Sequence, residues 1–208
     1  MNKYLVELIG TFFLVLTVGC TVLSGGTGVI PPLAIGAALM VMIFAGGHVS
    51  GGHYNPAVTL GVWIRGRCDT KDVGPYWISQ VIGASLAAGA VKYLRQNAQI
   101  TPMIPAVGPV LLAEFLFTFA LVFVVLNVAT AKGTSGNSFY GLAIGMTVMA
   151  GAFAVGDISG GVFNPAVAIG ISIMGLSAWS NLWLYLVANL LGGFVAAMAF
   201  KTISPDDK

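Results

Sequence analysis

The chain has 208 residues, 57% of them hydrophobic and 8% charged, with a mean hydropathy of +0.92 and a net charge of +2. Soluble domains carry about 25% charged residues, so the composition excludes a water-covered globule and reads as an integral membrane protein. The small positive excess excludes a nucleic-acid partner, and the unlike settings of Cys20 (apolar run) and Cys68 (polar loop) exclude a disulfide framework.

A helix needs roughly 20 apolar residues to cross a hydrocarbon core of about 30 Å. The first such stretch, 5–23, is too long for a cleaved signal peptide and carries Glu7. Then come "SGGTGVIPP" at 24–32, a loop by its Gly and Pro content, and a second span at 33–48. "SGGHYNPAV" at 50–58 opens an apolar run too short to cross, "PAVTLGVWIRG". A third span at 75–95 is followed by the loop "QNAQITPMIPA" at 96–106, and a fourth span covers 109–131. "AKGTSGN" at 131–137 is expected as a cytoplasmic turn linking two halves, and a fifth span follows at 139–155. "SGGVFNPAV" at 159–167 repeats the first phrase except at its fourth and fifth positions, again before a short run, "PAVAIGISIMG". The sixth span is 179–200.

The second half echoes the first. "VELIGTFFLVL" at 6–16 aligns with "AEFLFTFALVF" at 113–123, pairing Glu7 with Glu114, Thr11 with Thr118 and Phe12 with Phe119. The offset is 107 residues (114 − 7), and the two Asn-Pro-Ala copies stand 109 apart (164 − 55). Repeats of 1–106 and 107–208 with three spans each must enter the membrane from opposite sides, the inverted plan of channels and transporters with a site at the midplane. The expected fold is therefore an all-α membrane domain of six transmembrane helices and two re-entrant half-helices. Lys3, Arg65, Arg67, Lys71, Lys132, Lys201 and Lys208 fall on one side and only Lys92 and Arg95 on the other, which predicts cytoplasmic termini.

Asn at the N-cap and Pro at the first helical position start a helix. Asn55-Pro56-Ala57 and Asn164-Pro165-Ala166 thus begin the two half-helices, with Gly66 and Gly175 as stops. Non-helical backbone at membrane depth survives only where it is buried or lines a wet cavity. Gly51, Gly52, His53 and Gly160 are therefore expected to line a pore with their carbonyls. Each helix N-terminus carries roughly half a positive charge, so two meeting at the midplane repel cations, protons included, while the Asn amides offer NH donors to a neutral solute.

"VELIGTFFLV", "GHVSGGHYNPAVTLG", the "AEF" at 113–115 and "SGGVFNPAV" resemble the major intrinsic protein family, the aquaporins and aquaglyceroporins, across essentially the whole chain. The resemblance implies a right-handed bundle, one pore per subunit and a homotetramer. It also implies an outer filter of four positions, Ile35, Ala152, Gly161 and Val167. Water-selective members present an aromatic residue, a His and an Arg there; none is present here, and Val167 stands where Arg is usual. Glycerol facilitators follow that Arg with Asp, where this chain has Ala168. Plant vacuolar members with Val at this site resemble the present case and are associated with broader solute ranges. Losing a guanidinium removes five donors and a fixed charge, so a wider, less polar aperture is expected.

Glu7 and Glu114 are costly inside helices. They are expected to brace the re-entrant loops by accepting backbone N–H groups, with a catalytic pair as the rival reading. His48 and His53 are read as structural or pore-lining rather than metal ligands. Asp157 is read as a loop cap or a partner of Lys92 or Arg95 near the outer mouth, with ammonium attraction as the minority reading. Phe12, Phe119, Trp183 and Tyr185 are expected to pack or anchor at the interface, and the small residues of "GASLAAGA" at 83–90 and "GGFVAA" at 192–197 to mark close helix crossings. The sum is a passive channel for water and small uncharged solutes such as hydrogen peroxide, urea, ammonia or glycerol. It would sit in the cell (inner) membrane and use no cofactor and no metal. A coupled secondary transporter, a strictly water-selective channel and an adhesive protein are the rivals; an enzyme lacks its nucleophile–base pair.

Overall fold

With no water in the bilayer core, each backbone N–H and C=O must find its partner inside the chain, and helices do this locally. The computed structural model describes residues 1–23 and 28–207; part of the loop expected at 24–32, and Lys208, lie outside the described residues. Eight helices follow in order: α1 (Asn2–Val22), α2 (Ile30–Ser50), α3 (Pro56–Ile64), α4 (Thr70–Leu94), α5 (Val107–Val125), α6 (Tyr140–Ser159), α7 (Pro165–Met174) and α8 (Leu182–Ile203). A π-helical turn, Leu126–Thr130, extends α5. Among the described residues five helices are long and apolar enough to cross a membrane: α1, α2, α5 with its extension, α6 and α8. The third expected span, α4, has the length but not the apolarity. It carries Lys71, Asp72, Gln80 and Lys92, and packs along α1 and α7.

The polarity is inside out relative to a soluble protein. Glu7, Thr11, Gln80, Glu114, Thr118 and Asn189 are fully buried, while Ile78, Leu86, Leu112 and Val187 stand more than half exposed on the outer surface. Such a surface is stable against lipid or another apolar surface and not against water.

Small residues set the crossings. A Cβ at Gly192 of α8 would stand 2.7 Å from the Phe115 carbonyl oxygen of α5, and Gly83 of α4 meets the Leu8 carbonyl of α1 in the same way. Gly36 of α2 and Gly145 of α6 press on each other's carbonyls, at 2.8 and 2.5 Å from the added Cβ. The half-helices cross over: α3 lies against α8 and α7 against α4. The turn at 131–137, expected to link the halves, instead joins α5 to α6; the connection between α4 and α5 is 95–106. Beyond α8, Asp207 pairs with buried Arg65 at the end of α3 (2.6 Å) and accepts the Lys132 backbone N–H (2.8 Å). That N–H first, and the Arg65 guanidinium with it, hold the Asp207 carboxyl below the usual carboxylate range.

The α5–α8 crossing gives a prediction. Gly192→Val pushes a branched side chain into backbone and costs about 1–3 kcal/mol by overpacking, lowering the thermal midpoint of detergent-solubilised protein. Gly89→Ala, inside α4 with open space around it, does not lower the midpoint and is expected to raise it slightly, since Ala is the better helix former.

Candidate functional site

α3 and α7 begin at the centre of the molecule because Asn-Pro-Ala supplies a cap and a preset first turn. Asn55 Oδ1 accepts the Ala57 N–H (2.8 Å); Asn164 Oδ1 accepts those of Ala166 (2.9 Å) and Val167 (3.4 Å). Gly66 and Gly175, at φ +83° and +85°, take the left-handed turns that end the two half-helices. The caps are tied to each other crosswise. Asn55 Nδ2 donates to the Phe163 carbonyl and Asn164 Nδ2 to the Tyr54 carbonyl, both at 2.8 Å. Each amide nitrogen carries two hydrogens, so one is committed across the midplane and the other remains.

The loops ahead of the caps are held by carboxyl groups. Glu7 accepts from Ser50 Oγ (2.7 Å), His53 N (2.9 Å), Tyr54 N (2.6 Å) and Gln80 Nε2 (2.8 Å). Glu114 accepts from Ser159 Oγ (2.7 Å), Val162 N (2.9 Å) and Phe163 N (2.7 Å). Presenting two consecutive N–H groups to one carboxyl bends the backbone. Tyr54 and Phe163 sit at φ 50° and 47°, the non-glycine residues with positive φ among the described ones. Left-handed backbone costs a side-chain-bearing residue about 1–2 kcal/mol, and the N–H bonds to the carboxyls offset it. The aromatic rings add to the hold: Tyr54 fills space left open by Gly10 and Gly46, and Phe163 that left by Gly151. Tyr76 and Tyr185 close the design, their hydroxyls donating to the Ser50 (2.7 Å) and Ser159 (3.2 Å) carbonyls.

Between these elements lies a cavity of about 210 Å³, which shares His53 and Val125 on its wall with a larger one of about 1050 Å³. The smaller cavity is lined in pairs at the sequence offsets of the repeat. Leu14 and Leu121, Val18 and Val125, Ile35 and Ile144, Gly52 and Gly161, Asn55 and Asn164, and Val58 and Val167 all face it. Val167 therefore mirrors Val58, the residue after the first Asn-Pro-Ala.

Of the filter positions, Ile35, Gly161 and Val167 line this cavity, whereas Ala152 backs Gly161, its Cα 3.1 Å from where a Gly161 Cβ would stand. Gly52, His53 and Gly160 also line it; Gly51 and His48 face the larger cavity. The His53 ring lies 3.1 Å from Thr59 Oγ1 and edge-on to Tyr76, so this residue brings a side chain as well as backbone to the path. Tyr185 is fully buried on the cavity wall rather than at an interface, and exposed Asp157 makes no ion pair with Lys92 or Arg95 among the described residues. Sequence reading missed Ser50, Ser159, Tyr76 and Gln80. Their signal was the repeat offset, which pairs them with Ser159, Ser50, Tyr185 and Asn189.

Among known proteins, the profile of the family described as major intrinsic protein matches residues 1–200. The chain is similar to aquaporin NIP1-3 of Oryza sativa subsp. japonica, at 38% identity over 100% of this chain and 75% of that protein. It is 37% identical to glycerol uptake facilitator protein-like 6 of Lactiplantibacillus plantarum over 100% of both chains. Its fold is similar to that of the aquaglyceroporin from Plasmodium falciparum, with a TM-score of 0.83 and 24% identity over 98% of this chain and 97% of that one.

Glu7 takes the His53 and Tyr54 N–H groups on different oxygens, so Glu7→Gln sets an amide NH₂ against one backbone N–H donor and one side-chain donor. Hydrogen bonds to a charged group are worth about 1.5–3 kcal/mol each, so the variant is expected to lose about 2 kcal/mol or more of stability. Thermal unfolding of the purified protein measures it, and an unchanged midpoint contradicts the bracing role.

Proposed function

Because the chain belongs to the major intrinsic protein family, whose members are membrane channels and not enzymes, we propose that it is a passive channel for water and small uncharged solutes. The observation that carries this reading is the crosswise Asn55–Asn164 arrangement inside a cavity lined in pairs by the repeat. A solute oxygen at the midplane meets the free Asn N–H groups and the positive ends of α3 and α7, while carbonyls and apolar side chains form the remaining wall. Among the described residues lining the smaller cavity there is no Asp, Glu, Lys or Arg, the charged groups (Lys3, Arg67, Asp69, Asp72 and Lys132) lying on the larger cavity beyond it; the uncharged narrow part favours a passive path over an ion-coupled one.

Further parts of the reading follow. Ile35, Ala152, Gly161 and Val167 define a wide, apolar aperture, Ala152 acting through the backbone of Gly161. Hydrogen peroxide, urea, ammonia and glycerol are the candidate solutes beside water. Residues 1–106 and 107–208 are inverted repeats of one domain, Gly51, Gly52, His53 and Gly160 turn carbonyls to the path, and Glu7 and Glu114 brace it. The termini are cytoplasmic, the chain sits in the cell membrane, and four copies associate. The apolar outer surface supports the membrane reading, and the charge asymmetry of the loops supports the orientation.

Stopped-flow light scattering on reconstituted vesicles tests the aperture. The parent is expected to pass urea or glycerol as well as water. Val167→Arg is expected to lower the larger solute's flux about tenfold or more, since one misfit methylene in a tight site is worth that much, and to retain water. A parent that passes water alone, at a rate the substitution leaves unchanged, contradicts the assignment.

A further inference from the structure

The smaller cavity is lined in pairs, but one wall at the α7-side mouth breaks the pattern. Thr101 and Met103 line it and come from 95–106, the connection between α4 and α5. Among the described residues no counterpart of that wall lines the other mouth, where Arg67 and Cys68 stand at the positions equivalent to Leu176 and Ser177.

The backbone of this wall is pinned. Met103 N–H donates to the Leu176 carbonyl (3.0 Å), and Met103 forms a one-residue parallel bridge with Ser177, which is 1% exposed. Ile100 seats the same loop on Gly175, 3.7 Å from where its Cβ would stand. The Met103 side chain continues from this fixed point toward the pore-lining loop. Its Cε lies 3.2 Å from the place a Cβ on Gly160 would take, and Gly160 itself is held at φ +86°, which excludes an ordinary side chain. The room left by that missing side chain is what the thioether occupies. Three rotatable bonds and a polarizable sulfur let Met fit an irregular gap while still excluding volume.

We propose that Met103 is a specificity-determining residue, its thioether beside Gly160 setting the largest neutral solute that enters from the α7-side mouth. This rests on the reading of the cavity as a conduction path. Val167 then sets the width and polarity of the aperture, and Met103 adds a size limit at its entrance. The connection that joins the two repeats is used as a third wall of the mouth.

Vesicles bearing the parent, Met103→Ala, Met103→Leu and Met103→Phe are compared for water and glycerol flux. Removing most of the side chain is expected to raise the glycerol-to-water permeability ratio about tenfold, the low end of the range that a lost methylene commands in a fitted site. Phe is expected to lower that ratio and Leu, of similar volume, to keep it. A ratio that stays constant in both Ala and Phe, whatever happens to total flux, overturns the proposal and leaves the loop as support. Should Phe fail to fold, Met103→Cys in a Cys20→Ser, Cys68→Ser background decides. Thiol-specific reagents of increasing size are expected to reduce glycerol flux stepwise, and unaltered flux after full labelling contradicts the assignment. A parent without water or glycerol flux above that of protein-free vesicles removes the channel reading itself, and this inference with it.

Discussion

Everything in this molecule is arranged around two asparagine side chains that cap their own half-helices and reach across the centre to each other's loop. Asn55 and Asn164 spend their oxygens on the first N–H groups of α3 and α7 and one amide hydrogen each on the opposite carbonyl. That reciprocity fixes the end-to-end meeting of two helix N-termini, an arrangement their partial positive charges oppose. It therefore needs external support. The support comes from Glu7 and Glu114, each placed by a long helix beneath the loop that it holds.

Packing transmits this demand outward. The carboxyls can reach the loops only if α1 and α5 lie close to α4 and α8, and Gly83 and Gly192 provide that closeness. Gly61 and Gly170 do the same for the half-helices, letting Val122 and Val15 fill the space where a side chain would stand. Aliphatic side chains then complete most of the cavity wall, with His53, Thr101, Ser177 and Tyr185 as the polar side chains on it besides the two asparagines. The combination suits rapid passage: donors at one depth, largely apolar surface elsewhere, and no charged side chain among the described residues lining the smaller cavity.

Much of this was legible because the chain states it twice. Asn-Pro-Ala gives the half-helix starts, Gly66 and Gly175 the ends, and the repeated Glu the braces. What escaped were groups whose types are ordinary. Gln80 and Tyr76 look like any polar or aromatic residue in a helix, and only their partners at the repeat offset, Asn189 and Tyr185, set them apart. The polarity of α4 follows from its role, since Gln80 must accompany Glu7. Ala152 shows the limit of counting along a helix: the distance from Asn164 is carried over, but whether its side chain or the neighbouring backbone reaches the cavity depends on helix rotation. Met103 was invisible for a different reason. Long-range pairing of an irregular loop with Leu176 and Ser177 leaves no periodic trace.

The central proposal is that opposed half-helix N-termini, tied by the two asparagines, pass neutral solutes and stop protons with Val167, and no fixed cation, lining the smaller cavity among the described residues. The direct measurement is proton flux and osmotic water flux in the same reconstituted vesicles, the former from an internal pH dye after an imposed pH gradient. The account predicts protein-dependent water flux with proton flux no greater than that of protein-free vesicles. A proton current that rises with the amount of protein would contradict it, placing the proton barrier at the missing arginine instead of at the midplane.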